Sequence, residues 1–170
     1  MAVAPPANAN ELVQRIHTTL SSAGLQPGIV TIAGFNTVVG GSSTFKWQWM
    51  ATKLHWFVYA TVMAPGTPSD ALDRYLDDAC QDAINRKGGM RGAQSGVAAV
   101  TVVAIDGVAP EVEMWATKPH GRRFAALTFP VLAEVAAAKV VRPERMLLGG
   151  IYTGFLKDLV RQYVETPMRG

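Results

Sequence analysis

The segment Val97-Ala98-Ala99-Val100-Thr101-Val102-Val103-Ala104-Ile105 does most to limit what this chain can become. Apart from Thr101, both of its alternating sets of side chains are small or β-branched and apolar. A strand of this kind has no face to give to water, so it belongs in the middle of a sheet, buried on both sides. It is also about half as long as a membrane span needs to be. The rest of the chain must therefore supply neighbouring strands and covering helices.

Three stretches carry the helical period. Leu12, Val13, Ile16 and Leu20 follow a potential cap at Asn10 and stop at Gly24. Leu72, Tyr75, Leu76, Ala79, Cys80, Ala83 and Ile84 form one face of a second helix, with Thr67 or Ser69 as its cap and Gly88-Gly89 at its end. Ile151, Tyr152, Phe155, Leu156, Leu159, Val160, Tyr163 and Val164 predict a C-terminal helix, and Pro110 opens a short one over Glu111 to Lys118.

Strands are predicted at Ile29 to Phe35, after the Pro27-Gly28 turn, and within Thr44 to Met63. In the second stretch Phe45, Trp47 and Trp49 alternate with polar residues, whereas Leu54, Trp56, Val58, Ala60 and Val62 take the opposite parity. One straight strand of that length would span roughly 60 Å, so a turn near Ala51 to Lys53 should divide two strands. Gly40 to Ser43 reads as a loop, and Phe124 to Val135 with Lys139 to Val141 as a strand pair. The expected fold is α+β: a single mixed or mainly antiparallel sheet of about six strands, with about three helices packed on it. Residues 1–9 are expected to form a flexible arm, 10–166 the domain and 167–170 a tail.

Composition narrows the function classes. At 170 residues with 49% hydrophobic and 17% charged, the chain can sustain a core and has apolar surface left for a partner or a second copy. Sixteen basic against thirteen acidic residues give +3, too little for a nucleic-acid-binding tail. The single cysteine, Cys80, excludes an internal disulfide and a cysteine-rich zinc cage, and lies on a core-facing helix stripe. The first ten residues lack the pattern of a signal peptide, so the expected location is cytoplasmic, without a membrane partner.

Two basic segments carry the most chemistry. Arg86 to Gly96 combines cations with glycines that allow backbone N–H groups to converge on an anion. The same residues also suit the end of a helix, where glycines terminate it and cations complement its dipole. Lys118-Pro119-His120-Gly121-Arg122-Arg123 is the second. If the two loops met, Arg91, Gln94, Arg122, Arg123 and Trp115 would hold an anionic metabolite and His120 would move a proton. A pair of solvated loops is the alternative.

Other motifs are weaker. Asp77-Asp78-Ala79-Cys80-Gln81-Asp82 resembles the Asp-rich string with which isoprenoid synthases hold magnesium, but those enzymes are large and all-helical. The acidic run fits the outer face of a helix instead. His17, His55 and His120 have no zinc spacing, no G-x-S-x-G string occurs, and neither metal nor cofactor is implied. Trp47 and Trp49, placed on one strand face, are the expected core or subunit interface of a homo-oligomer.

Arg91-Gly92-Ala93-Gln94-Ser95-Gly96-Val97, Trp115-Ala116 with Lys118-Pro119, and Arg123-Phe124-Ala125-Ala126 together resemble a family of short prokaryotic proteins. That resemblance covers residues 44–160 and implies no activity, cofactor or partner. The sequence therefore points to a non-catalytic binding or self-assembling module. Its alternative is a small metal-independent enzyme or sensor holding an anionic metabolite at the 86–96 and 118–123 loops.

Overall fold

The elements follow the order α1 (Ala9–Ser22), β1 (Gly28–Ile32), β2 (Phe35–Phe45), β3 (Lys53–Val62), α2 (Ser69–Lys87), β4 (Ser95–Ile105), α3 (Pro110–Thr117), β5 (Arg122–Arg123), β6 (Ala126–Glu134), β7 (Lys139–Val141), α4 (Thr153–Val160) and α5 (Thr166–Arg169). A π-helical turn over Arg161–Glu165 joins α4 to α5 into one C-terminal helical run. The computed structural model describes residues 3–88, 95–120, 126–146 and 150–170, together with the backbone of 122–123.

All strands join one mixed sheet in the order β1-β2-β3-β4-β6-β5, with β7 also paired to β6. This is the α+β fold expected from the sequence. The segment Val97 to Ile105 is buried throughout its length. It pairs in parallel with β3 on one side and with β6 on the other.

Both parallel connections run through helices, α2 between β3 and β4 and α3 between β4 and β6. The chain steps the same way along the sheet each time. Right-handed crossovers then place both helices on the same face. That face holds Tyr59, Val97, Ala99, Val103 and Ile105 against Leu72, Tyr75, Leu76, Ala79, Cys80 and Trp115. The opposite face holds Leu54, Val58, Ala60, Val100, Val102, Phe129 and Val131 against α1 and the C-terminal run. A three-layer arrangement results, and it explains why β4 has no polar side.

Several local expectations are corrected. The helix cap at the start of α1 is Asn8, not Asn10, with its Oδ1 accepting from Glu11 N at 2.9 Å. The predicted strand Ile29 to Phe35 is in fact a hairpin, in which Ala33 and Gly34 turn at positive φ between the paired Ile32 and Phe35. Neither Thr67 nor Ser69 caps α2: Pro68 stands at the cap position. Gly40 to Ser43 is the middle of β2 rather than a loop.

The aromatic alternation also misleads. Strand β2 ends at Phe45, and Trp47–Trp49 form a short 3-10 turn, so the two tryptophans do not share a strand face. The turn that separates the strands does occur where expected: Met50 and Ala51 adopt positive φ, and Thr52 N donates to Trp49 O at 3.0 Å. Among the described residues no helix is long and apolar enough to cross a membrane.

Candidate functional site

A groove of about 730 Å³ lies between α1 and the β1–β2 hairpin. Its origin lies in where α1 settles. The stripe Ala9, Leu12, Ile16 and Leu20 is fully buried, and α1 packs over β2, β3 and β4. Strand β1 extends beyond that cover, so Ile29 is left 70% exposed. The space between becomes the groove.

One wall comes from the outer shoulder of α1: Asn10, Val13, Gln14, His17 and Thr18. The hairpin supplies Ile29, Gly34 and Phe35 to Val38, and the end of β3 supplies Thr61 and Val62. Part of the polar lining is already engaged: the Thr61 hydroxyl donates to Asn36 O at 2.7 Å and the Thr37 hydroxyl to Phe35 O at 3.1 Å. Among the described residues no Asp, Glu, Lys or Arg lines the groove, and His17 is the only titratable side chain that does. Such a wall has amide, hydroxyl and imidazole groups for orientation and aliphatic surface for affinity. It has nothing with which to neutralise a charged ligand.

Sequence reasoning missed this site. Asn10, Val13, Gln14 and Thr18 are uncharged in the sequence, but nothing local to α1 places them opposite the hairpin.

A second region lies at the end of the sheet where β3, β4 and β6 begin. Register places Phe45 beside Lys53, Lys53 beside Ser95, Val97 beside Ala126, and Ala126 beside Arg123. The end of α2 at Lys87 and the starts of β3, β4 and β6 thus lie at one end of the sheet. The Lys87 ammonium donates to Ser95 O at 3.1 Å, which ties the end of α2 to the start of β4.

Nearby, the Tyr59 hydroxyl donates to Asp82 Oδ2 at 2.8 Å, and Arg86 pairs with the same oxygen. Burial, then the charge of Asp82, pushes Tyr59 far above the ordinary phenol range. His55 is half-buried, and among the described residues its Nε2 has no hydrogen-bond partner. Burial first, then the charges of Lys53 and Lys87, hold its pKa below the usual value. This end therefore gathers a neutral imidazole and several cations.

The sequence-predicted site residues divide among three places. Arg91 and Gln94 lie outside the described residues. Arg122 and Arg123 form β5, paired with Leu127 and Ala126 at the sheet edge. Trp115 is buried and its indole N–H donates to Asp73 Oδ1 at 3.0 Å, linking α3 to α2. His120 packs on the Trp115 ring, with Nε2 2.8 Å from Trp115 O. Because a carbonyl only accepts, that nitrogen carries the proton and donates.

The two tryptophans proposed as an interface behave differently. Trp47 is 81% exposed and meets Phe45 edge to face. Trp49 is buried against Tyr152 and Phe155, and the Lys46 ammonium lies 5.1 Å from the rings of both Trp49 and Phe155. Among the described residues no group of three His, Cys, Asp or Glu side chains is arranged to hold a metal. No family model, curated protein or solved structure matches this chain.

Proposed function

We propose that the chain is a non-catalytic binding module that takes a small, neutral, partly apolar molecule in the groove between α1 and the β1–β2 hairpin. The observation that carries this reading is the groove's lining, about 730 Å³ of space with, among the described residues, no ionised carboxylate, ammonium or guanidinium group around it. A volume of that size suits a ligand of ordinary metabolite dimensions. Val13, Ile29, Phe35, Val38 and Val62 would bury its apolar part. Asn10, Gln14, His17 and Asn36 would orient its polar groups by hydrogen bonding.

The second reading, a small metal-independent enzyme or sensor for an anionic metabolite, draws support from one specific arrangement. Lys53, Lys87 and His55 stand together at the end of the sheet where α2 ends and β4 begins, beside the basic 86–96 segment and on the side where the 118–123 segment precedes β6 in the chain. Arg91, Gln94, Arg122, Arg123 and His120 belong to those segments.

One pair of titrations separates the readings. Nile red, a neutral dye, should brighten on binding the wild-type chain and lose that signal in Val13→Trp, which fills the groove from the α1 side. Lys87→Glu should leave the dye signal unchanged. If the dye signal is absent, and tripolyphosphate instead binds the wild-type chain but not Lys87→Glu, the anion reading replaces the groove reading.

A further inference from the structure

We infer that the outer edge of β1 is a self-pairing surface, at which two copies of this chain join their sheets by antiparallel β1–β1 contact. Strand β1 is the terminal strand of the sheet, paired to β2 on one side only. Among the described residues, no backbone hydrogen bond other than its pairing with β2 reaches Gly28–Ile32. Its free N–H and C=O groups are therefore a template for another strand.

Natural sheets blunt such edges with lysine, proline, bulges or very short strands. The opposite edge of this sheet follows that rule. There β6 is flanked by β5 and β7, of only two and three residues. Gly28-Ile29-Val30-Thr31-Ile32 carries none of these devices: it is five residues long, with no charge and no internal proline. Ile29 is 70% exposed and Thr31 is exposed.

The occupant that fits is a second copy. An antiparallel pair of identical strands is related by a two-fold axis, so one surface serves both partners and the assembly closes as a dimer. Charge within the strand does not oppose it, because none of the five residues Gly28–Ile32 carries an ionised side chain to meet its own image. The contact is short, so the dimer should be concentration-dependent rather than obligate. This inference stands independently of what the groove binds.

Sedimentation equilibrium of the full chain tests it. The weight-average mass should rise from 18.2 kDa toward twice that value as concentration increases from about 10 µM to about 1 mM, the range of weak, small interfaces. Ile29→Lys/Thr31→Lys, both at exposed positions, should keep the native circular dichroism and remain at the monomer mass. Trp47→Glu should still dimerise. Amides of residues 28–32 should exchange more slowly at the higher concentration in the wild-type chain alone. A wild-type chain that stays monomeric over this range would overturn the inference. So would a dimer that survives the two lysines and is lost in Trp47→Glu, or a co-purifying peptide found on β1 by native mass spectrometry of a monomeric chain.

Discussion

Gly41 lies against the carbonyl of Trp56 so closely that a Cβ on it would stand 2.2 Å from that oxygen and 2.5 Å from the Phe57 ring. The residue pairs with Phe57 in the β2–β3 ladder, and only a residue without a side chain permits the approach. The colliding oxygen is backbone in a paired strand and has little freedom to retreat. Gly41→Ala should therefore destabilise the fold by about 1–3 kcal/mol through overpacking. Urea denaturation checks this, and an unchanged midpoint would show that the two strands separate at no cost.

The same glycine marks where the sequence could be read and where it could not. Composition alone located β4, since a strand without a polar side needs a layer on each face. The helices were equally legible, because their apolar stripes repeat at 3.6 residues. Glycines and serines at 40–43 suggested a loop, yet here their small size serves close strand packing. Phe45, Trp47 and Trp49 showed the strand period by coincidence of composition. Their alternation says nothing about the end of the ladder at Phe45, the 3-10 turn at Trp47–Trp49 or the left-handed Met50 and Ala51 that follow it. The groove was hidden for another reason. It arises from the offset between α1 and β1, a tertiary relationship that no local pattern encodes.

Tyr59 and Asp82 set the behaviour of the protein in alkali. An unfolded tyrosine ionises near 10, whereas burial and the Asp82 carboxylate raise Tyr59 well beyond that. The folded state therefore keeps a proton that the unfolded state releases. The resulting stability is fully present below about pH 10 and is lost as the pH rises above it. Tyr75, which is fully buried, shifts in the same direction, as does Tyr163. Tyr59→Phe should flatten the alkaline decline measured by thermal melts between about pH 9 and 11. At neutral pH it should cost about 1 kcal/mol, because Asp82 is partly exposed and keeps Arg86 as a partner.

His55 acts on the acid side with the opposite sign. Burial and the two lysines lower its pKa from the usual 6.5, so the folded chain resists a proton that the unfolded chain accepts. This contribution is complete above about pH 6.5 and declines as the pH falls below it. Proton NMR should show the His55 ring titrating below the free imidazole range. In His55→Gln the loss of melting temperature between about pH 7.5 and pH 5 should shrink. A ring that titrates at or above 6.5 would contradict the placement of Lys53 and Lys87 around it.

Two truncations in α4 separate the packing of the aromatic turn from that of the core. Leu159 is 4% exposed within the cluster formed by the sheet, α1 and the C-terminal run. Leu159→Ala should cost about 2–5 kcal/mol, as removal of a buried leucine leaves a cavity. Phe155 is only partly buried but meets Trp49 and Trp56 edge to face, with ring centroids 5.1 and 6.2 Å away. It also shares the Lys46 ammonium with Trp49. Phe155→Ala should therefore release Trp49 as well as destabilise the fold, and the tryptophan emission should move to longer wavelength in the still-folded protein. Leu159→Ala, which removes no ring from this cluster, should lower stability without that spectral change. If both variants leave the native emission alike, Trp49 is held by something other than Phe155.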